Sequence, residues 1–183
     1  MRADENLLDR GSRLCVACGL CCQGALHNAA SLLPEEAPLA LGLGMKVARS
    51  GQDAQFALPC HLLKDRCCTV YADRPSPCRT YRCRLLRSLD AGENGLDDCL
   101  NIVSKAQSLV RDLQEVIPSD MTLPEARASA ASPAIDDVGM LAKGKIRLHA
   151  FALSLYLEKY FRNENENSFL QTTRIDENIG SKP

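Results

Sequence analysis

Cys15-Val16-Ala17-Cys18-Gly19-Leu20-Cys21-Cys22 places four thiols within eight residues of a 183-residue chain. A Cys-x-x-Cys step lets two sulfurs face one point across a tight turn. Glycine after the second cysteine supplies the left-handed backbone that turns amide N–H groups toward sulfur. Cys15, Cys18 and Gly19 have that form. Cys21 extends the run to Cys-x2-Cys-x2-Cys, a spacing also used to hold iron–sulfur clusters. Cys22 follows at once, so the run is not a ferredoxin motif. Adjacent side chains on an extended backbone point to opposite sides. Cys21 and Cys22 therefore serve two metal centres, or one of them reaches outward.

A second cluster runs from Cys60 through Cys67-Cys68 to Cys78 and Cys83. Cys78 and Cys83 would lie about 140° apart on a regular helix of 3.6 residues per turn. Either a turn intervenes between them or they belong to different centres. Pro75 and Pro77 argue for a compact loop over 59–83. Between Pro59 and Asp90, Lys64, Arg66, Arg74, Arg79, Arg82, Arg84 and Arg87 face only Asp65, Asp73 and Asp90, a local excess of +4. Eight thiolates around two Zn2+ would carry −4, and nearby cations favour the thiolate form. The same arginines would also suit a solvated surface.

Composition sets the frame. An apolar content of 45% with 25% charged residues belongs to a globular chain that buries a real core. With 4% aromatics and no Trp, that core rests on Leu, Val, Ile and Ala. A net charge of −1 weighs against a nucleic-acid partner. The first residues carry no signal-peptide pattern and no run is long enough to span a bilayer, so a cytoplasmic location without membrane contact is expected. There thiols stay reduced, and ten cysteines favour metal or redox chemistry over disulfides.

The pattern along the chain predicts a mainly α fold, in which an irregular Cys-rich metal-binding N-terminal half packs on a small helical C-terminal half. One domain over 1–162 is expected, with the cysteine clusters at 13–84 and helices at 85–162. Residues 1–12 read as a polar lead-in and 13–24 as a loop too rich in Cys and Gly for a regular helix. A short helix is expected from Leu32, with Pro34 in its first turn and Gly42 and Gly44 ending it. A short strand is expected over 54–58. Leu96, Cys99, Leu100, Val103, Ala106, Val110, Leu113 and Ile117 recur at three- and four-residue steps, one face of an amphipathic helix closed by Pro118. Thr122 and Glu125 form a capping-box pattern for a further helix. A third helix is expected over Lys145 to Phe161, with Ile146, Leu148, Phe151, Leu155 and Tyr156 apolar; the stripe from Phe151 to Phe161 reads as core or as a partner surface. The Asn- and Glu-rich tail from Arg162 to Pro183 reads as disordered.

Cys15 to Cys22, then Cys60, then the run from Cys68 to Cys83 with Asp73-Arg74-Pro75 inside it, resemble the CxxCxxCC family of YkgJ-type cysteine-cluster proteins, described as zinc- or iron-chelating. The resemblance covers about 13–84. It implies a ligand set of Cys15, Cys18, Cys21, Cys22, Cys60, Cys68, Cys78 and Cys83, with Cys67 and Cys99 as extras, although residue type alone leaves Cys67 and Cys68 as alternatives. Cys99, on the apolar helix face, reads as a core residue. Tyr71 and Tyr81 are expected to pack over the cluster, while His61, His27 and His149 read as packed or exposed side chains rather than ligands.

The expected function is metal binding, with an iron–sulfur cluster or Zn2+ as cofactor. The closely spaced triplet with a remote fourth thiol tilts the balance toward iron–sulfur. The alternatives are an iron–sulfur enzyme or electron carrier, related through the resemblance to protein lysine methylases, and a zinc-stabilised interaction module. A metal-free thiol-redox pair at Cys21-Cys22 or Cys67-Cys68 ranks last, because vicinal disulfides are strained. No phosphate loop, dinucleotide fingerprint, HExxH or nucleophile–base pair is present, so the sequence specifies no catalytic residue. A protein partner is left open.

Overall fold

The computed structural model describes residues 9–51, 53–131 and 140–163. The expectations for residues 1–8 and 164–183 lie outside these. The described elements run α1 (Arg10–Cys18), β1 (Ala29–Leu32), a 3-10 turn (Pro34–Glu36), α2 (Ala37–Gly42), β2 (Val47–Ser50), β3 (Asp53–Ala57), β4 (Leu63–Lys64), β5 (Cys67–Cys68), α3 (Ser76–Thr80), α4 (Arg84–Asp90), α5 (Leu96–Gln114), α6 (Leu123–Ala131) and α7 (Met140–Tyr160). Helices and two small antiparallel sheets together make the fold mixed rather than mainly α.

The first cysteines sit on a helix, which corrects the loop expected at 13–24 and the lead-in expected through residue 12. Asp9 caps α1, its carboxylate accepting from the Ser12 N–H at 3.0 Å and the Ser12 hydroxyl at 2.6 Å. Gly19, at φ +61°, ends the helix, and its N–H donates to the Cys15 carbonyl at 3.0 Å. A glycine that looks like a helix breaker here terminates one.

The helix expected from Leu32 is likewise replaced by strand β1, the 3-10 turn and α2. Each proline falls in an opening turn, where its missing N–H costs nothing: Pro34 begins the 3-10 turn and Pro38 is the second residue of α2. The strand expected at 54–58 is β3, the centre of the sheet β1-β3-β2. Ala54 and Phe56 of β3 point inward while Asp53, Gln55 and Ala57 face out. They join Leu32, Ala37, Ala40 and Met45 in a small core.

The region 59–83 is more ordered than the loop expected. Leu63 pairs with Cys68 and Lys64 with Cys67 across a two-residue turn, Asp65-Arg66, in which both residues have positive φ.

A larger core is built from α1, α4, α5, α6 and α7, running from Leu14 and Leu20 through Leu85, Val103 and Leu113 to Leu153, Leu157 and Phe161. The α5 stripe faces this core as expected, and Cys99 is fully buried in it. The helix stops at Gln114, ahead of Pro118, because the Val116 and Ile117 N–H groups both turn back to the Leu113 carbonyl. The Thr122–Glu125 capping box is present: the Thr122 N–H donates to Glu125 at 2.7 Å and the Glu125 N–H to the Thr122 hydroxyl at 3.4 Å.

Helix α7 starts five residues before the expected Lys145. Its buried face is Ile146, Ala150, Leu153, Ser154 and Leu157, whereas Leu148, Phe151 and Leu155 are exposed. Of the residues proposed as apolar positions, only Ile146 is fully buried, with Tyr156 half-buried. Arg162, expected to open the tail, is instead buried and donates to the Leu26 carbonyl at 2.9 Å. Arg127 of α6, also buried, donates to the Gly24 carbonyl and the Asn28 side chain, both at 3.2 Å. Two guanidiniums from the helical half thus grip the loop that leaves the first cysteine cluster. Gly24 itself, at φ +76°, permits this approach, because a Cβ there would lie 2.8 Å from Pro124.

Candidate metal centre

One cavity of about 430 Å³ is lined by Cys15, Cys18, Cys21, Cys22, Cys60, Cys68, Cys78 and Cys83, and by neither Cys67 nor Cys99. The chain reaches this convergence in short local steps. Cys15 and Cys18, three residues apart on α1, share a helix face. After Gly19 the backbone makes one more turn, with the Gly24 N–H donating to the Cys21 carbonyl at 3.0 Å, and presents Cys21 and Cys22. Cys83 is the N-cap of α4, where its sulfur accepts from the Leu86 N–H at 3.4 Å. Helix α4 packs directly on α1.

The other thiols come from the sheet side. The Cys60 N–H donates to the Cys22 carbonyl at 2.8 Å, and the Leu63 N–H to the Cys60 carbonyl at 3.1 Å, so the β4–β5 hairpin with Cys68 hangs directly from the first cluster. Cys78 lies in α3. Glu36 anchors that helix by accepting from the Ser76 N–H and hydroxyl, each at 2.7 Å. Cys67, the neighbour that residue type could not separate from Cys68, is exposed outside the cavity.

Burial raises the thiol pKa values, and neighbouring thiols raise them further. Cys15 is pushed up to about 11, by burial first and then by Cys83. Cys18 and Cys21 are driven higher, again by burial first; Cys83, Cys15 and Cys22 add to the rise at Cys18, and Cys18, Cys83, Cys22 and Cys15 to that at Cys21. Burial followed by Cys60, Cys78 and Cys68 pushes Cys22 up to about 12. Cys78 rises to about 11 from burial, Cys60 and Cys68, and Cys60 shifts upward from burial. A cation among these sulfurs would reverse the trend, since metal competes directly with the thiol protons.

Among the described residues, no three His, Cys, Asp or Glu side chains already stand around one point as a metal-holding group. The thiols are neighbours across a cavity, and a closed shell requires their sulfurs to draw inward. The donor set fits a thiophilic ion or cluster in type and number. Arg66, Arg74, Arg79 and Arg82 of the seven basic residues line the cavity; Lys64, Arg84 and Arg87 do not. Arg74 is held over the Tyr71 ring at 3.6 Å, with its Nε donating to the Tyr71 carbonyl at 2.9 Å, and it opposes the rise at Cys15, Cys22 and Cys78. Tyr71 and Tyr81 both line the cavity, as expected. His61 lies apart, with Nε2 at 3.1 Å from the Leu43 carbonyl. His27 lines the cavity with its ring edge-on to Tyr81.

Several supporting residues escaped the sequence reading. Glu36 acts across 40 residues, and Arg127 and Arg162 across more than 100, so no local pattern marks them. Gln107 did leave a trace, as a polar residue on the apolar face of α5; its side-chain amide donates to the Cys18 carbonyl.

Among the described residues, no helix is long and apolar enough to cross a membrane. No curated protein and no solved structure gives a significant match to the chain. Residues 14–100 match a family model, which takes in both cysteine clusters and runs on through α4 into α5. Over that span the chain matches the CxxCxxCC family, described as a "putative zinc- or iron-chelating domain".

Proposed function

We propose that this protein binds metal through Cys15, Cys18, Cys21, Cys22, Cys60, Cys68, Cys78 and Cys83, as an iron–sulfur cluster or as zinc. One observation carries the reading: eight thiols spread from residue 15 to residue 83 line one cavity, and the two remaining cysteines do not. Random burial of small apolar residues would not sort them this way. An iron–sulfur cluster would supply one-electron chemistry, and zinc a rigid cross-link.

The chain's own residues do the rest. Leu14, Leu20, Leu85 and Leu86 wall the cavity against water. Arg74 and its neighbours offset the negative charge that deprotonated sulfurs would gather. Arg127, Arg162 and Gln107 hold the backbone between Cys18 and Asn28 in place.

Iron–sulfur is the favoured form. The Cys15–Cys18–Cys21 triplet with Cys83 brought in from the start of α4 is a cluster-like donor arrangement. Zinc has the tight Cys-x2-Cys-Gly turn in its support. Elemental analysis of anaerobically purified protein separates the two. A brown protein with iron and inorganic sulfide is expected; a colourless one with stoichiometric zinc would select the zinc form. Freshly isolated protein free of both would end the metal reading and return attention to Cys21-Cys22 and Cys67-Cys68 as redox pairs.

A further inference from the structure

We infer that the eight thiols form two separate four-sulfur centres, an inner one of Cys15, Cys18, Cys21 and Cys83 and an outer one of Cys22, Cys60, Cys68 and Cys78, and that the outer centre exchanges its metal first. This rests on the metal-binding reading and goes beyond it in number, ligand assignment and lability.

The division follows the two cores. Cys18, Cys21 and Cys83 pack against the large helical core, whereas Cys78 packs against the small core under the sheet. Cys15 shares α1 with Cys18, and α1 packs on α4, which Cys83 caps. On the other side, the Cys60 N–H is bonded to the Cys22 carbonyl. The turn after Cys60 leads straight into the hairpin, where Cys68 pairs with Leu63.

The chain changes sides at the Cys21–Cys22 peptide, where neighbouring side chains diverge. This resolves the two puzzles of spacing. Cys21 and Cys22 are adjacent because each serves a different centre. Cys78 and Cys83 need not share a helix face, because α3 ends at Thr80 and a new helix starts at Arg84.

The two centres are held unequally. The inner one draws on α1, the N-cap of α4 and the turn between Gly19 and Cys21, with Cys18, Cys21 and Cys83 packed on the large core and Gln107 bonded to the Cys18 carbonyl. The outer one draws on four segments: the end of the first turn, the stretch after Pro59, a hairpin of two-residue strands, and five-residue α3. Two non-glycine residues, Asp65 and Arg66, hold positive φ at the hairpin tip, a conformation that stores strain. Local opening therefore costs less on the outer side, and a chelator gains access there first.

Cobalt(II) is a suitable probe, because its colour and intensity report four-sulfur coordination. Anaerobic titration of the metal-free full chain is expected to end at two Co2+ per chain. Release to excess chelator should then proceed in two phases of equal amplitude. The variant C60S/C78S should retain one Co2+ with undiminished absorbance per ion and show only the slow phase. C15S/C18S should retain one and show only the fast phase, while C67S and C99S should match the parent.

If both double variants lose all tight cobalt while keeping native helical circular dichroism, the thiols form one polynuclear site; the partition then fails and the metal reading stands. Should a double variant unfold, the parent's own titration decides: an end point of two with biphasic release supports the assignment, and a single phase overturns the inequality. A parent chain that takes up no cobalt defeats both readings.

Discussion

Stripping metal from the anaerobic protein is expected to abolish amide protection across β1–β5 and α3 while α5 and α7 retain theirs. The reason is the size of the two cores. The small core holds six buried residues, three of them alanines, beneath a three-stranded sheet. That is too little apolar surface to offset the entropy of ordering residues 29–80. Structural metal binding can contribute on the order of ~10 kcal/mol that only the folded chain receives. The helical core is far larger and includes Leu113, Leu153 and Leu157, which lie away from the thiol cavity, so it should persist.

The metal-free state should also acquire a pH dependence that the loaded protein lacks. In the helical half that persists, burial pushes Cys15 up to about 11 and drives Cys18 and Cys21 higher, against 9.0 for an unperturbed thiol. Above pH 9 the unfolded chain sheds these protons while the folded chain keeps them. Unfolding is therefore drawn forward, and stability falls as pH rises from 9 toward 12. Hydrogen exchange read by mass spectrometry, with and without chelator at neutral pH and again at pH 10, checks both effects. Uniform loss of protection across α5 and α7 would contradict the two-core account, as would no loss at all.

Replacing Phe161 by Ala should cost about 3–5 kcal/mol. For a chain of this size that lowers the thermal midpoint by about 6–20 °C. Phe161 is 1% exposed and belongs to the large core, yet its ring also lines the thiol cavity. Its carbonyl accepts from the Arg84 N–H at 2.9 Å, in the first turn of the helix that Cys83 caps. The substitution should therefore destabilise the helical half and loosen one wall of the inner thiol set together. Leu148→Lys, on the exposed side of α7, which ends just before Phe161, should change stability by no more than about 0.5 kcal/mol at 66% exposure. Thermal melts of the two variants make the comparison. Equal effects would mean that the buried face of α7 has been assigned wrongly.

The contrast at α7 also marks where a sequence can be read and where it cannot. Helix α5 was legible because its apolar residues keep to one face. From His149 to Leu157, α7 carries apolar residues nearly all round. Leu148, Phe151 and Leu155 dominate the pattern because they are large, yet the face that packs includes Ala150 and Ser154, whose value lies in their small size. In the first cluster the spacing announced a metal site, but the helix beneath it depended on a single cap, Asp9, lying outside the motif. Pro34 suggests the start of a helix from Leu32, yet it opens a 3-10 turn, and Pro38 falls in the opening turn of a separate helix.

For the cavity, the eight thiols were named through family resemblance and motif order. Their division between two cores was not legible, because it depends on which helix α4 packs against and on a hydrogen bond between residues 38 apart, Cys22 and Cys60. Cys67 and Cys68 differ only in the side of a two-residue strand they face, which a hairpin turn sets and residue type does not.

X-ray absorption at the edge of the metal found in the anaerobically purified protein asks the central question at the atoms concerned. A first shell of four sulfurs near ~2.3 Å is expected, within the distance range of tetrahedral thiolate sites. A shell dominated by nitrogen or oxygen would mean that the metal sits elsewhere and that the clustered thiols do not hold it.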